Sequence, residues 1–176
     1  KIEMGQGPIT SFAQMVAEEL DVAYETVDMV MGDTGRCPWD AGTWGSLSTR
    51  FYGVFVKEAA CEAKGVLKEL AAERLLCPVS RLATRDGVVF DSGRPLSRVS
   101  YGDLTAGKVI ERHLRELPPL KPPSEYTSSG QPYPRRDARD KVTGRALFTA
   151  DMRLPGMLYA RLLRPPAHGA RLRGVD

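Results

Sequence analysis

The stretch Met4-Gly5-Gln6-Gly7-Pro8-Ile9-Thr10-Ser11-Phe12-Ala13-Gln14-Met15-Val16-Ala17-Glu18-Glu19-Leu20 decides how this chain is read. From Pro8 onward the apolar residues Ile9, Phe12, Ala13, Val16, Ala17 and Leu20 recur at the three-and-four spacing of one helix face, and proline suits a first helical turn. Before the helix stands a glycine turn, entered by residues that read as the tail of a strand. After it, residues 26–31 read as a strand. Strand end, turn, helix and strand in that order predict an α/β, or mixed α+β, fold.

Working outward, residues 32–46 are rich in Gly, Asp, Thr, Pro and Ser and lead into a helical pattern over residues 47–76. Tyr52, Val56, Ala59, Ala60, Ala63, Val66, Leu67 and Leu70 share one face of it, and Gly53 and Gly65 leave room for a neighbouring element. Asp86-Gly87 and Ser92-Gly93 punctuate short β-prone runs such as Val88-Val89-Phe90, which predicts a hairpin or meander, and residues 101–106 suit a short helix. Residues 117–134 carry six prolines and lose periodicity, as a domain boundary or an extended crossing segment does. Beyond them, residues 146–150 and 157–164 read as strands about the Leu154-Pro155-Gly156 turn. The expected division is 1–116, a linker at 117–134, and a second domain from 135 to 176.

Composition narrows the function. No apolar stretch reaches the roughly 20 residues of a membrane-spanning helix, and no basic-then-apolar signal pattern stands at the start. The chain opens without methionine and stops without a capping signal, so further sequence is expected on both sides. Cys37, Cys61 and Cys77 fall in no metal-binding spacing, and Cys61, among alanines, reads as a packed small hydrophobe. The two histidines, His113 and His168, have no cysteine or carboxylate cluster beside them, so any metal is expected to arrive on a cofactor. Residues 135–173 hold ten Arg/Lys against three Asp, while residues 1–134 hold fifteen basic against eighteen acidic side chains. These arginines are spread among prolines without aromatic platforms, which reads as a solvated or interface-facing strip and not as a nucleic-acid surface.

Two segments can carry ligand chemistry. Gly5-Gln6-Gly7 at a helix start can offer backbone N–H groups and a helix dipole to an anion, or serve as a plain turn. It is not a dinucleotide fingerprint, since the third glycine position is Thr10. Gly42-Thr43-Trp44-Gly45-Ser46-Leu47-Ser48-Thr49 offers a second such cradle, or places Ser46 or Ser48 as an ordinary N-cap. Asp33 and Asp40 read as turn residues. No nucleophile, base and orienting residue can be read from the spacing.

The series Glu3-Met4-Gly5-Gln6-Gly7, Ala17-Glu18-Glu19-Leu20, Met31-Gly32-Asp33-Thr34 and Gly42 to Thr49 resembles the molybdopterin-binding subunit of the xanthine dehydrogenase and aldehyde oxidase family. Pro119-Leu120-Lys121-Pro122-Pro123, Gly130-Gln131-Pro132-Tyr133-Pro134-Arg135, Lys141-Val142-Thr143-Gly144 and Leu154 to Ala160 are similar to the entry into that family's hammerhead-like α/β domain. Because this region follows the cofactor loops instead of preceding them, the order resembles the isoquinoline 1-oxidoreductase and nicotinate-type branch. The resemblance implies that Gly5, Gln6, Gly7, Thr43, Gly45, Ser46 and Ser48 line a molybdenum-bearing molybdopterin, with a cytosine dinucleotide form among the options. It implies hydroxylation of an aldehyde or N-heterocycle by water-derived oxygen. It further implies [2Fe-2S] clusters on an iron-sulfur partner subunit, the remainder of the molybdenum subunit, and a flavin or cytochrome c subunit as a further partner. The family's glycine-rich GGGFG-type loop and its catalytic glutamate have no match here, so the chain alone is expected to be inactive. A short subunit of a split hydroxylase and a non-catalytic scaffold module are the competing expectations.

Overall fold

A computed structural model describes residues 1–174. Helix α1 spans Pro8–Leu20, with Gly7 at its N-cap in the left-handed region (φ 90°) and Asp21 at its C-cap (φ 53°). A π-turn over Ser48–Tyr52 runs into α2, Gly53–Leu75, so the expected long helix forms with an irregular start. The two helices pack closely because Gly53 lacks a side chain: a Cβ there would stand 2.9 Å from Met15 Sδ. Gly65 plays the same part further along, where a Cβ would collide with Leu114. On the expected face Ala60, Val66 and Leu67 are buried and Tyr52, Val56 and Leu70 half-buried, but Ala59 and Ala63 are exposed. The buried stripe is therefore narrower than the pattern suggested, since the elements packed on α2 leave that edge uncovered.

Strands β1 (Leu82–Arg85), β2 (Val88–Asp91) and β3 (Arg94–Ser100) form an antiparallel meander in sequence order. The first turn has both Asp86 (φ 49°) and Gly87 (φ 71°) left-handed, the twist a tight hairpin needs. Helix α3, Tyr101–Thr105, starts at Ser100, whose side chain accepts the Asp103 N–H. Leu67 and Ala71 of α2 meet Leu82, Val89, Val99 and Leu104 in one apolar core. A second, smaller core joins Ala13 and Ala17 of α1 to Tyr24, with Tyr133 packed against it. The meander hangs on the end of α1 through Gly87 N–H to Asp21 O (3.0 Å) and Tyr101 O–H to Leu20 O (2.9 Å).

Residues 118–137 cross α1 and α2 and are fastened there by charge. Glu18 and Glu19, both fully buried, lie on the α1 face that the crossing covers. Glu18 accepts the consecutive N–H groups of Thr127 (2.9 Å), Ser128 (2.7 Å) and Ser129 (2.9 Å), and Lys121 Nζ sits 2.8 Å away. Lys121 also reaches Asp21 (2.6 Å), which in turn takes Lys64 (3.2 Å) and the Thr84 hydroxyl (2.6 Å). Glu19 accepts the Lys121 N–H at 3.2 Å and pairs with Lys57 at 3.2 Å. Burial pushes the Glu18 and Asp21 carboxyls up, but Lys121 and the surrounding donors outweigh it and hold both below the ordinary range. Burial likewise pulls Lys121 down, and its two carboxylate partners raise it further than that. Cys61 is buried in the same region, its thiol directed at the carbonyls of Pro118 (3.5 Å) and Pro119 (3.6 Å), as a packed hydrophobe should be.

The strands expected at residues 1–3, 26–31, 146–150 and 157–164 do not form. Residues 26–31 are not a strand: Tyr24–Thr26 is a 3-10 turn, and Val27 beyond it is extended but outside the sheet. At the head of this run Arg136 takes the Val27 carbonyl, an acceptor a neighbouring strand would use, and its guanidinium also holds the Tyr24 carbonyl of the turn (2.7 Å). Residues 1–3 form no strand either. The chain divides into one compact unit of residues 1–138 and another of 139–176. In the second, residues 146–150 and 157–164 are not strands among the described residues. It holds the end of a short helix, Ala138–Val142, and a 3-10 turn, Thr149–Asp151. Leu158, Leu162 and Leu163 are exposed there, so no apolar partner fixes a register.

Candidate functional site

The loops that flank the starts of α1 and α2 meet in space. Ile2 N–H donates to Thr43 Oγ1 at 3.3 Å, and the hydroxyls of Ser11 and Thr49 lie 3.3 Å apart. Between the loops opens a cleft of about 440 Å³, in the size range of small-molecule sites, and Gln6, Thr43, Gly45, Ser46 and Ser48 all line it. Met4, Trp44 and Thr49, which belong to the same two motifs but were not among the expected lining residues, complete its wall. Gly5 and Gly7 are not lining residues; they bend the first loop, with φ of 114° and 90°. A second cleft of about 350 Å³ adjoins across Thr43 and is walled by Asp33, Cys37, Trp39 and Asp40 of the polar loop.

The backbone of the second loop is shaped by tight contacts. Trp44 folds back over Gly42, where a Cβ would stand 2.7 Å from the indole ring. Gly45 (φ 64°) and Ser46 (φ 54°) are consecutive left-handed residues. For glycine this is free, but for Ser46 it costs about 1–2 kcal/mol, and strain of this kind collects where backbone amides are aimed at a ligand. Leu47, not Ser46 or Ser48, holds the cap position, and no side chain caps the helix. The ordinary N-cap reading of the two serines is thereby removed. Asp33 and Asp40 accept the N–H groups of Gly35 (2.8 Å) and Gly42 (2.6 Å), turn roles as expected.

The first loop is arranged differently from what its sequence suggests. Glu3 Oε1 accepts the N–H groups of Gly5 (2.7 Å) and Gly7 (3.0 Å), and Oε2 accepts that of Ile9 (3.4 Å). The amides at the head of α1, which could have met an external anion, are met by the chain's own carboxylate. Gln6 braces the same loop, taking the Met4 N–H at 2.7 Å and giving its amide to Ile2 O at 3.0 Å. Arg135 reaches the same loop and lies 3.6 Å from Glu3. Its Nη1 donates to Gly5 O (2.6 Å), and Asp137 grips the guanidinium at 3.0 and 2.9 Å. An acidic residue just ahead of a helix is the one sequence signal that could have announced Glu3. Nothing local announces Arg135.

The donor set suits a flat, polar heterocycle with an anionic tail: hydroxyls, a carboxamide, the Gly45 backbone and an aromatic wall, with no carboxylate among the lining residues. Among the described residues no group of three or more His, Cys, Asp or Glu is placed to hold a metal ion directly. Nor, among the described residues, is any helix long and apolar enough to cross a membrane.

Comparison with known proteins agrees with this chemistry. A nicotinate dehydrogenase subunit of Pseudomonas putida is 40% identical over 168 residues, covering 96% of this chain and 14% of that protein. The beta subunit of isoquinoline 1-oxidoreductase from Brevundimonas diminuta is 28% identical over 214 residues, covering 99% of this chain and 27% of the relative. Among solved structures, the reconstituted CO dehydrogenase from Oligotropha carboxidovorans superposes with a TM-score of 0.54 at 28% identity, over 59% of this chain and 13% of that one. The chain thus spans about a seventh of the first of these curated relatives and about a quarter of the second. The family of the molybdopterin cofactor-binding domain matches residues 1–150, which include both loops and the cleft between them, and the chain belongs to that family.

Proposed function

We propose that the cleft between the two loops is part of the pterin-binding wall of a molybdenum hydroxylase acting on an aldehyde or an electron-poor N-heterocycle. The observation that carries this reading is the convergence of the loops, joined at Ile2–Thr43 and Ser11–Thr49, on one uncharged cleft that sets hydroxyls and a carboxamide beside the apolar walls of Met4 and Trp44. Gln6, Thr43, Gly45, Ser46 and Ser48 contact the cofactor, and Gly5 and Gly7 give the first loop its shape. When bound, the molybdenum cofactor supplies the oxidation chemistry, with water as the oxygen source. This chain's residues hold and orient the pterin: the hydroxyls and the Gln6 amide match its heteroatom edge, and the Gly45–Ser46 turn offers amides to a phosphate. A cytosine dinucleotide form of the pterin is the finer expectation. The similarity to a nicotinate dehydrogenase supports an N-heterocycle over an aldehyde as substrate.

The same reading gives residues 117–134 the part of a linker and residues 135–176 that of the opening of a hammerhead-like domain. The remaining sequence of the molybdenum subunit closes the site. Partners are an iron-sulfur subunit with [2Fe-2S] clusters and a flavin or cytochrome c subunit that takes the electrons onward. The test is made in the assembled complex. Gln6→Ala and Ser46→Ala should each lower bound molybdenum and released pterin several-fold while the unfolding midpoint stays near that of the parent. Equal cofactor content in parent and variants overturns the assignment.

A further inference from the structure

Residues Gly130 to Arg135 carry a motif that the cleft itself does not use, since none of them lines it. Their anchoring is nonetheless extensive. Gln14 Nε2 donates to the carbonyls of Ser128 (3.2 Å) and Gln131 (2.9 Å), Tyr133 stacks on Tyr24 with ring centres 4.2 Å apart, and Arg136 N–H donates to Thr10 Oγ1 at 3.2 Å. All of this delivers one side chain, Arg135, to the outer side of the Gly5–Gly7 loop.

The geometry points to an ion-pair clamp in which Glu3 and Arg135 are positioning residues that hold the Gly5-Gln6-Gly7 loop in the one shape that presents Gln6 to the cofactor cleft. Glu3 gathers the N–H groups of Gly5, Gly7 and Ile9. Arg135 holds the Gly5 carbonyl, lies 3.6 Å from Glu3, and is itself aligned by Asp137. The N–H and the C=O of Gly5 are thus both hydrogen-bonded to charged groups that face one another, and such bonds are shorter and stronger than neutral ones. Two consequences follow. The head of α1 is not the subsite for the cofactor's anionic tail, because Glu3 already holds its amides and a second negative charge there would be repelled. And a segment more than a hundred residues away in sequence governs a loop of the site without touching the cofactor.

This inference rests on the proposed cofactor role of the cleft, so the experiment separates the two. In the assembled complex, Glu3→Ala, Glu3→Gln, Arg135→Met and Arg135→Lys are compared with Ser46→Ala by amide hydrogen exchange of the peptide covering residues 1–12 and by molybdenum and pterin content. Glu3→Ala and Arg135→Met should speed exchange in that peptide about tenfold, with the meander of residues 82–100 unchanged, and reduce cofactor content by about threefold or more. Glu3→Gln keeps an accepting oxygen for Gly5 and Gly7 and should retain most of the cofactor. Arg135→Lys keeps the charge but cannot reach Gly5 O and Asp137 together, and should not. Unchanged exchange in Glu3→Ala and Arg135→Met overturns the clamp, and so does faster exchange with full cofactor content. If Ser46→Ala lowers the content and the clamp variants do not, the clamp alone is wrong; if none of the variants lowers it, the cofactor reading falls as well. Arg135 is partly exposed, so its variants test the idea even where Glu3→Ala fails to fold.

Discussion

The two ends of α1 present opposite solutions to the same problem of placing a carboxylate. At its head Glu3 lies in a loop beside an open cleft, and its partners are mainly backbone amides within six residues. At its tail Glu18, Glu19 and Asp21 are matched by Lys57, Lys64 and Lys121 and by amides more than a hundred residues away. The head shapes a surface and leaves it open. The tail closes the chain on itself. A protein that must accept a large cofactor gains from keeping these tasks apart, because the site can then stay unfilled without loosening the fold.

The strongest way to break this contrast is to ask whether the cleft suffices alone. Purified by itself, the chain should bind no molybdenum and turn over neither aldehydes nor N-heterocycles with a dye acceptor. Stoichiometric metal with turnover would show the open side of the cleft needs no cover. Next in size comes the tail. Lys121→Met leaves the buried Glu18 without its cation and the half-buried Asp21 with Lys64 alone, and should cost about 3–5 kcal/mol in urea unfolding. A loss below about 1 kcal/mol would mean that the cluster relaxes or takes in water.

Acidity gives a third test. The Glu18 and Asp21 carboxyls are held below their ordinary values of 4.5 and 3.8, so the unfolded chain binds more protons than the folded one in that range. Their contribution is complete above those values and is lost as pH falls past them through the lower folded values. Lys121, raised above 10.5, contributes fully below that value and loses its part above it. The urea midpoint should therefore be flat from about pH 6 to 9 and fall on both sides. In Lys121→Met the acid limb should flatten; an unchanged acid limb would place the titration elsewhere.

The smallest effect is the sharpest comparison. Ser46→Gly relieves a left-handed serine and should raise stability by about 0.5–1 kcal/mol once the entropy of the added glycine is counted. In the assembled complex it should also lower cofactor content, since the hydroxyl is gone. A gain in stability with unchanged content would leave Ser46 as strain without use.

Much of this was legible in the residues. Pro8 and the apolar spacing after it located α1 to the residue, and Asp86-Gly87 marked the meander. Both signals are local, carried by side-chain periodicity or by a φ that few residues adopt. The site residues came from the resemblance, and the structure brings five of them to one cleft. What stayed hidden was decided at a distance. Glu18 and Glu19 sit where a charged pair ordinarily faces water, and only the return of residues 118–129 buries them. The run at 26–31 has strand composition, but Arg136 takes the Val27 carbonyl and no strand lies alongside. The clamp was invisible for the same reason, since Glu3 and Arg135 become neighbours only after the chain has crossed two helices.

The crossing over α2 also gives the molecule a built-in chemical clock. Cys61 is 2% exposed beneath Pro118 and Pro119, and burial raises its thiol above the ordinary value, so it reacts only while residues 118–119 are lifted away. Cys37 and Cys77 are only half-buried and serve as the internal reference for intrinsic reactivity. The rate at which a maleimide captures Cys61, set against those two, counts how often the fastening at Lys121 lets go.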